Sequence, residues 1–130
     1  MPKQKSSRHR LFDILNSIAH IRRIVAGLDE AAFKVDWIRY RAVERELEII
    51  SEASRSLTDA EKARYSDIPW RRIADIGNVL RHVYDEVAPN LVWEVVVSGL
   101  DPLERAAREL YAEVKRPSDP WPDAKPPEEG

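Results

Sequence analysis

A short run near the middle of the chain brings together side chains suited to moving protons at a phosphate. It contains Asn78, Arg81 and His82, with Tyr84 two residues further on. Histidine titrates near neutrality, so it can both take and give a proton. A guanidinium beside it can stabilise negative charge that builds on phosphorus. At ~100° per residue the segment from Ile73 to Asp85 has an apolar stripe centred near Ile76 and Leu80. Asn78 and His82, one turn apart, fall almost opposite that stripe. Arg81 lies on one flank of the polar face, and Tyr84 nearer the edge of the stripe. Residues not required by a core are available to line a cleft or a subunit interface. The same pattern also describes an ordinary solvated face, in which Arg81 and Asp85 make an i,i+4 pair.

The other candidates carry weaker patterns. His9 lies in a basic N-terminal segment and His20 on the first helical stretch, and neither has a partner at metal-ligand spacing. Both read as structural or solvated, and no metal site or cofactor is expected. Asp13 and Asp36 likewise form no metal pattern. Glu44, Glu48 and Glu52 share a helix face and read as a solvated face or as inter-helix ion pairs. Trp70 and Trp93 read as core or near-core residues, whereas Trp121 is placed to anchor to a partner. Lys3, Lys5, Arg8 and Arg10, with Arg22 and Arg23, form a basic patch that could touch RNA, although a charged chain terminus has the same composition.

These residues must be positioned by helices. The 130 residues leave room for one domain and a real core, 1–116, with a Pro-rich tail over 117–130 expected to be disordered. Only four glycines interrupt the chain, and most prolines sit near segment ends. Leu11, Ile14, Ile18, Ile21, Val25 and Leu28 make one stripe, ending at Gly27 and Asp29. A second helix is expected from about Val35 to Leu57, with one stripe through Val43, Leu47, Ile50 and Leu57. A parallel stripe runs through Ile38, Ala42, Ile49 and Ala53. Thr58 and Glu61 spell a capping box. Asp67 and Pro69 open the helix that carries His82, which Pro89 is expected to end after Val87. A last helical segment spans Asn90 to Lys115, where Asp101-Pro102 marks a kink, or a stop followed by a fresh N-cap and first turn. The expected fold is all-α, an antiparallel bundle of four to five helices.

Bulk composition narrows the function. Cysteine is absent, which excludes disulfides, thiolate metal sites and a cysteine nucleophile. The net charge of −2 advertises no global affinity for nucleic acid, so any RNA contact must come from a local patch. No apolar run reaches a membrane span, and the basic start leads into an amphipathic stretch rather than a signal sequence. A cytoplasmic protein is expected, with no membrane partner.

Several segments in order are familiar together. They are Arg10 to Leu15, Arg41 to Ala53, Ile68 to Ala74, His82-Val83-Tyr84 and Val92 to Val96. Through these, from about Arg10 to Leu110, the chain resembles the HepT-like toxins of the HEPN superfamily. The resemblance implies a homodimer of helical bundles whose paired motifs form a cleft, and metal-independent endoribonuclease activity. It implies an Arg, a gap of four to six residues, then His-x-Tyr. His82 would act as general acid/base, and Tyr84 would be the position that a cognate minimal nucleotidyltransferase antitoxin adenylylates. The position five before His82 is Gly77, not arginine. Asn78, which commonly follows the family arginine, is present. On the wheel, residue 77 is placed on the other flank of His82 from Arg81, so Arg81 is expected to serve the phosphate only by reaching across. The missing arginine leaves a second expectation open: a non-catalytic module that binds RNA, a nucleotide or the nucleotidyltransferase.

Overall fold

The computed structural model describes residues 6–122, and all its regular structure is helical. Helix α1 spans Ser7–Val25, α2 Glu30–Val35, α3 Trp37–Arg55, α4 Asp59–Ala63, α5 Trp70–His82, α6 Ala88–Ser98 and α7 Leu100–Val114. The all-α class expected from the periodicity is correct.

Helix α1 is the spine. Its three/four spacing puts Leu11, Ile14, Ile18 and Ile21 on one side, and all four are fully buried. That side meets α3 and α7. Cutting any of the isoleucines to alanine would leave a cavity costing about 2–5 kcal/mol. The chain then turns through Gly27, whose φ of +80° is a conformation that side chains with a Cβ rarely adopt.

The helix expected from about Val35 to Leu57 is α3, which starts at Trp37 because Asp36 separates it from α2. Asp29 caps α2 by accepting from the Ala32 N–H, a helix that hydrophobic spacing alone did not reveal. Asp36 ends α2 and caps α3, accepting from the backbone N–H and the guanidinium of Arg39. The Arg39 backbone N–H, helped by its side chain, holds the Asp36 carboxyl below the usual carboxylate range. The break turns Ile38 outward, so it is exposed beside Val35 and Trp37 and does not join the second stripe.

Thr58 and Glu61 form the capping box their spacing spells. One proline expectation needs correction. Pro89 does not end the His82 helix but stands in the first turn of α6, where its missing N–H leaves no bond unmade. The segment from Asn90 to Lys115 is two helices, and Asp101 and Pro102 lie in the first turn of the second, as the stop-and-restart alternative has it, with the break at Gly99.

Residues 116–122 dock on the bundle. Arg8 donates to Asp119 at 2.7 Å, and the Tyr111 hydroxyl donates to the Pro120 carbonyl at 2.8 Å. Trp121 stands edge-on to Tyr111 with centroids 5.2 Å apart, and the Arg108 guanidinium lies 5.6 Å above the indole. Pro122 is fully buried. Trp121 thus packs against its own chain on one side, while 42% of it stays exposed. Of the expected tail, residues 123–130 lie outside the described part.

The clasp has two measurable consequences. Trp121→Ala should lower stability by about 1–2 kcal/mol, from the lost aromatic pair and cation–π contact, read as a fall in Tm of roughly 4–8 °C. The Arg116 N–H and then Arg8 hold the Asp119 carboxyl below its ordinary range. Its contribution is thus present above the ordinary aspartate range and lost as pH falls through the lowered folded value. Tm against pH for Asp119→Asn should lack that acid-side increment, while the wild type shows it.

Candidate functional site

Helix α5 carries the site, and α3 is the neighbour that fixes it. Trp70 anchors its start by donating through Nε1 to the Lys62 and Tyr65 carbonyls. Midway, the Ala74 carbonyl accepts from Ser51 Oγ at 2.7 Å and from Arg55 Nε and Nη2 at 2.9 and 2.6 Å. Ser51 and Ser54 of α3 and Gly77 of α5 are small and buried.

The helix ends at His82, five residues sooner than the periodicity suggests, because Val83 is extended. A turn follows in which Val87 and Ala88 donate to the Tyr84 carbonyl. Tyr84 is consequently 81% exposed and stands off the helix, not beside the core stripe. Asn78, Arg81 and His82 are all exposed, as their wheel positions imply.

His82 Nδ1 lies 2.8 Å from the Asn78 carbonyl oxygen. A carbonyl can only accept, so Nδ1 carries the hydrogen in this bond. In the neutral ring Nε2 then holds the free lone pair. The backbone of Asn78, rather than its side chain, therefore sets the tautomer.

Arg81 requires a correction. Residues four apart differ by only ~40° around a helix, so 77 and 81 share a flank of His82. A Cβ built on Gly77 would lie 3.5 Å from Arg81 Nη1 and 4.0 Å from Glu48 Cγ. The Arg81 guanidinium thus folds over the space in front of residue 77. It reaches that space within its own helix, without crossing to a second subunit.

Two polar cavities flank this point. One, of about 350 Å³, lies among α1, α3 and α5, and Glu48, Gly77 and Arg81 form part of its wall. The other, of about 280 Å³, also touches Glu48, Gly77 and Arg81 and extends to Tyr40, Glu44 and Asp85. Tyr40 was missed in the sequence, where its place four residues before Glu44 was the available signal. Burial, and then its hydrogen bond to Glu44, pushes its hydroxyl up to about 12, so it stays a donor.

The remaining candidates resolve into structural contacts. Glu44, Glu48 and Glu52 pair with Arg41, Arg45 and Arg55 of their own helix, at 3.0, 3.7 and 3.4 Å, rather than between helices. His20 meets Glu46 at 3.2 Å and His9 meets Ser6 at 3.1 Å. Trp93 packs on Phe33 with centroids 5.2 Å apart. The basic N-terminal patch is divided, since Arg8 pairs with Asp119 and Arg22 with Asp101 and Glu104. Lys3 and Lys5 lie outside the described residues. Among the described residues no group of three or more His, Cys, Asp or Glu is gathered as for a metal ion. No helix among them is long and apolar enough to cross a membrane.

Comparison with known proteins places this geometry in context. The family model described as "Ribonuclease HepT-like" matches residues 14–110. A protein of Caldanaerobacter subterraneus subsp. tengcongensis named "Putative RNase" is 31% identical over 111 residues, covering 85% of this chain and 99% of its own. One of Thermococcus cleftensis named "Probable ribonuclease HepT" is 31% identical over 101 residues, covering 78% and 92%. A further "Putative RNase", from Methanocaldococcus jannaschii, is 31% identical over 96 residues, covering 73% and 87%. No solved structure matches the chain.

The space at Gly77 can be tested directly. A methyl group there meets Arg81 Nη1 at ordinary contact distance, so Gly77→Ala should fit. It should also raise stability by about 0.5–1 kcal/mol through helix propensity, measured by denaturant titration. A loss of stability would show that the seam between α3 and α5 tolerates no side chain.

Proposed function

The chain belongs to the HepT-like ribonuclease family, and from that premise we propose that it is an endoribonuclease using His82 as general acid/base. The observation that carries the reading is the His82–Asn78 hydrogen bond, which leaves Nε2 of an exposed imidazole without a hydrogen bond among the described residues, with Arg81 preceding it in the chain. In this scheme Nε2 takes the proton of a ribose 2′-hydroxyl. The 2′-oxygen attacks the neighbouring phosphorus, the bond from phosphorus to the 5′-oxygen breaks, and that oxygen receives a proton. The products are a 2′,3′-cyclic phosphate and a 5′-hydroxyl. In a homodimer with paired motifs, the partner subunit's His82 is available to supply the second proton. Arg81 neutralises the charge on the phosphorane oxygens. Asn78 acts as a polar helper, chiefly by the carbonyl that orients the imidazole. The reaction requires no metal ion.

Regulation by an antitoxin extends the same reading. The Tyr84 hydroxyl stands on an exposed turn two residues from His82, accessible to a modifying enzyme. A nucleotidyl group attached there would add negative charge and bulk at the place where the RNA phosphate must sit. The partner would be a minimal nucleotidyltransferase, and the pair a toxin–antitoxin system.

One observation favours a second reading. Gly77 stands where the family motif has arginine, which suits a module that binds RNA, a nucleotide or the nucleotidyltransferase without cutting. Cleavage assays separate the two. His82→Ala should lower RNA cleavage by roughly 10²–10⁴-fold with an unchanged circular dichroism spectrum. Arg81→Ala should lower it by roughly 10²–10³-fold, and adding Gly77→Arg to that variant should restore part of the loss. Cleavage by His82→Ala at the wild-type rate would overturn the catalytic assignment, and binding without any cleavage by the wild type would establish the module.

A further inference from the structure

The larger cavity beside Gly77 has chemistry that the cleavage scheme does not use. Four arginines from three helices line it: Arg10 of α1, Arg45 and Arg55 of α3, and Arg81 of α5. Against them stand the carboxylates Asp13, Glu48 and Glu52. Arg55 is committed to the Ala74 carbonyl and serves the fold. The other three arginines are less engaged. Arg10 Nε is shut off from solvent and has no hydrogen-bond partner among the described residues. A donor in that state favours an acceptor brought by a ligand. Arg45 reaches Glu48 only at 3.7 Å, and its side chain is 70% exposed. Arg81 makes no ion pair among the described residues and borders both the cavity and the space over Gly77.

Guanidinium groups match the paired oxygens of a phosphate with parallel N–H donors. We infer that this cavity is a phosphate-binding subsite, seating the phosphodiester of an RNA strand next to the one being cut. At about 350 Å³ it admits a phosphate with part of its sugar. Because Arg81 belongs to both places, a strand leaving the reacting phosphate passes directly into the cavity. The inference rests on the ribonuclease reading for the polymeric form of the ligand, but the arginine cluster stands independently of His82.

The test uses the full chain and two probes: a fluorescent oligoribonucleotide made uncleavable by 2′-O-methyl groups, and AMP. Arg45→Gln, Arg10→Gln and the double variant are compared with wild type and His82→Ala by anisotropy at several salt concentrations. The double variant should bind the oligonucleotide roughly tenfold or more weakly, with a salt dependence shallower by about one charge. With cleavable RNA, Arg45→Gln should raise KM while kcat stays near the wild-type value. Arg45 is exposed, so Arg45→Gln carries the test by itself if Arg10→Gln unfolds. Wild-type affinity and salt slope in Arg45→Gln and in the double variant would overturn the subsite. AMP affinity lost in the variants while oligonucleotide binding is unchanged would reassign the cavity to a free nucleotide and overturn the RNA-strand assignment. Failure of the cleavage scheme reads differently: His82→Ala then cuts like wild type, while the arginine variants still lose binding.

Discussion

The seam between α3 and α5 is the constraint on which the site depends. Helix α5 leans mainly on this one neighbour, so its register is set by few contacts. The Ala74 carbonyl, gripped by Ser51 and Arg55, is the polar part of that grip. Leu80, buried in the core, supplies the apolar part. A carbonyl held by charge-assisted donors is costly to pull away, so the turns that follow inherit a defined orientation. Asn78 is one turn beyond Ala74, and His82 one turn beyond Asn78. The imidazole is thus oriented by backbone from end to end of the helix.

The same seam brings the Arg81 guanidinium to the space over residue 77. A side chain at 77 would project into the seam beside Glu48, and Arg81 folds into the same space from one turn further on. Long flexible arginines can reach a common point from either position, because residues four apart lie on one face. The electrostatic field over the seam is set by where the guanidinium ends, not by where its Cα begins.

Much of this was legible in the sequence. The α1 stripe, the Thr58–Glu61 box and the polar face holding Asn78 and His82 follow from spacing, and they stand in the structure as read. The unread parts depend on information that spacing lacks. Asp36 is both a stop and a start, and its capping bonds outweigh the helical period running through it. Pro89 is compatible with ending one helix or beginning another, and only the short turn after His82 settles which. That turn moves Tyr84 off the wheel altogether. The relation of Gly77 to Arg81 follows from helix geometry alone, since residues four apart lie on one face. The arginine cavity was not available, since Arg10, Arg45 and Arg81 come from three separate helices. The packing of Trp121 on Tyr111 and Arg108 was not legible either, because it depends on the chain turning back at residues 116–119.

The clasp of Asp119 on Arg8 brings the two described ends of the chain to one corner of the bundle. In topological terms the described part, residues 6–122, is nearly a closed ring. A short linker could join the ends and a new opening could be cut in a surface turn, such as that at Gly27, without reordering the core. Any domain fused before Ser6 or after Pro122 would depart from the same corner, so fusions at either end would crowd the same neighbours.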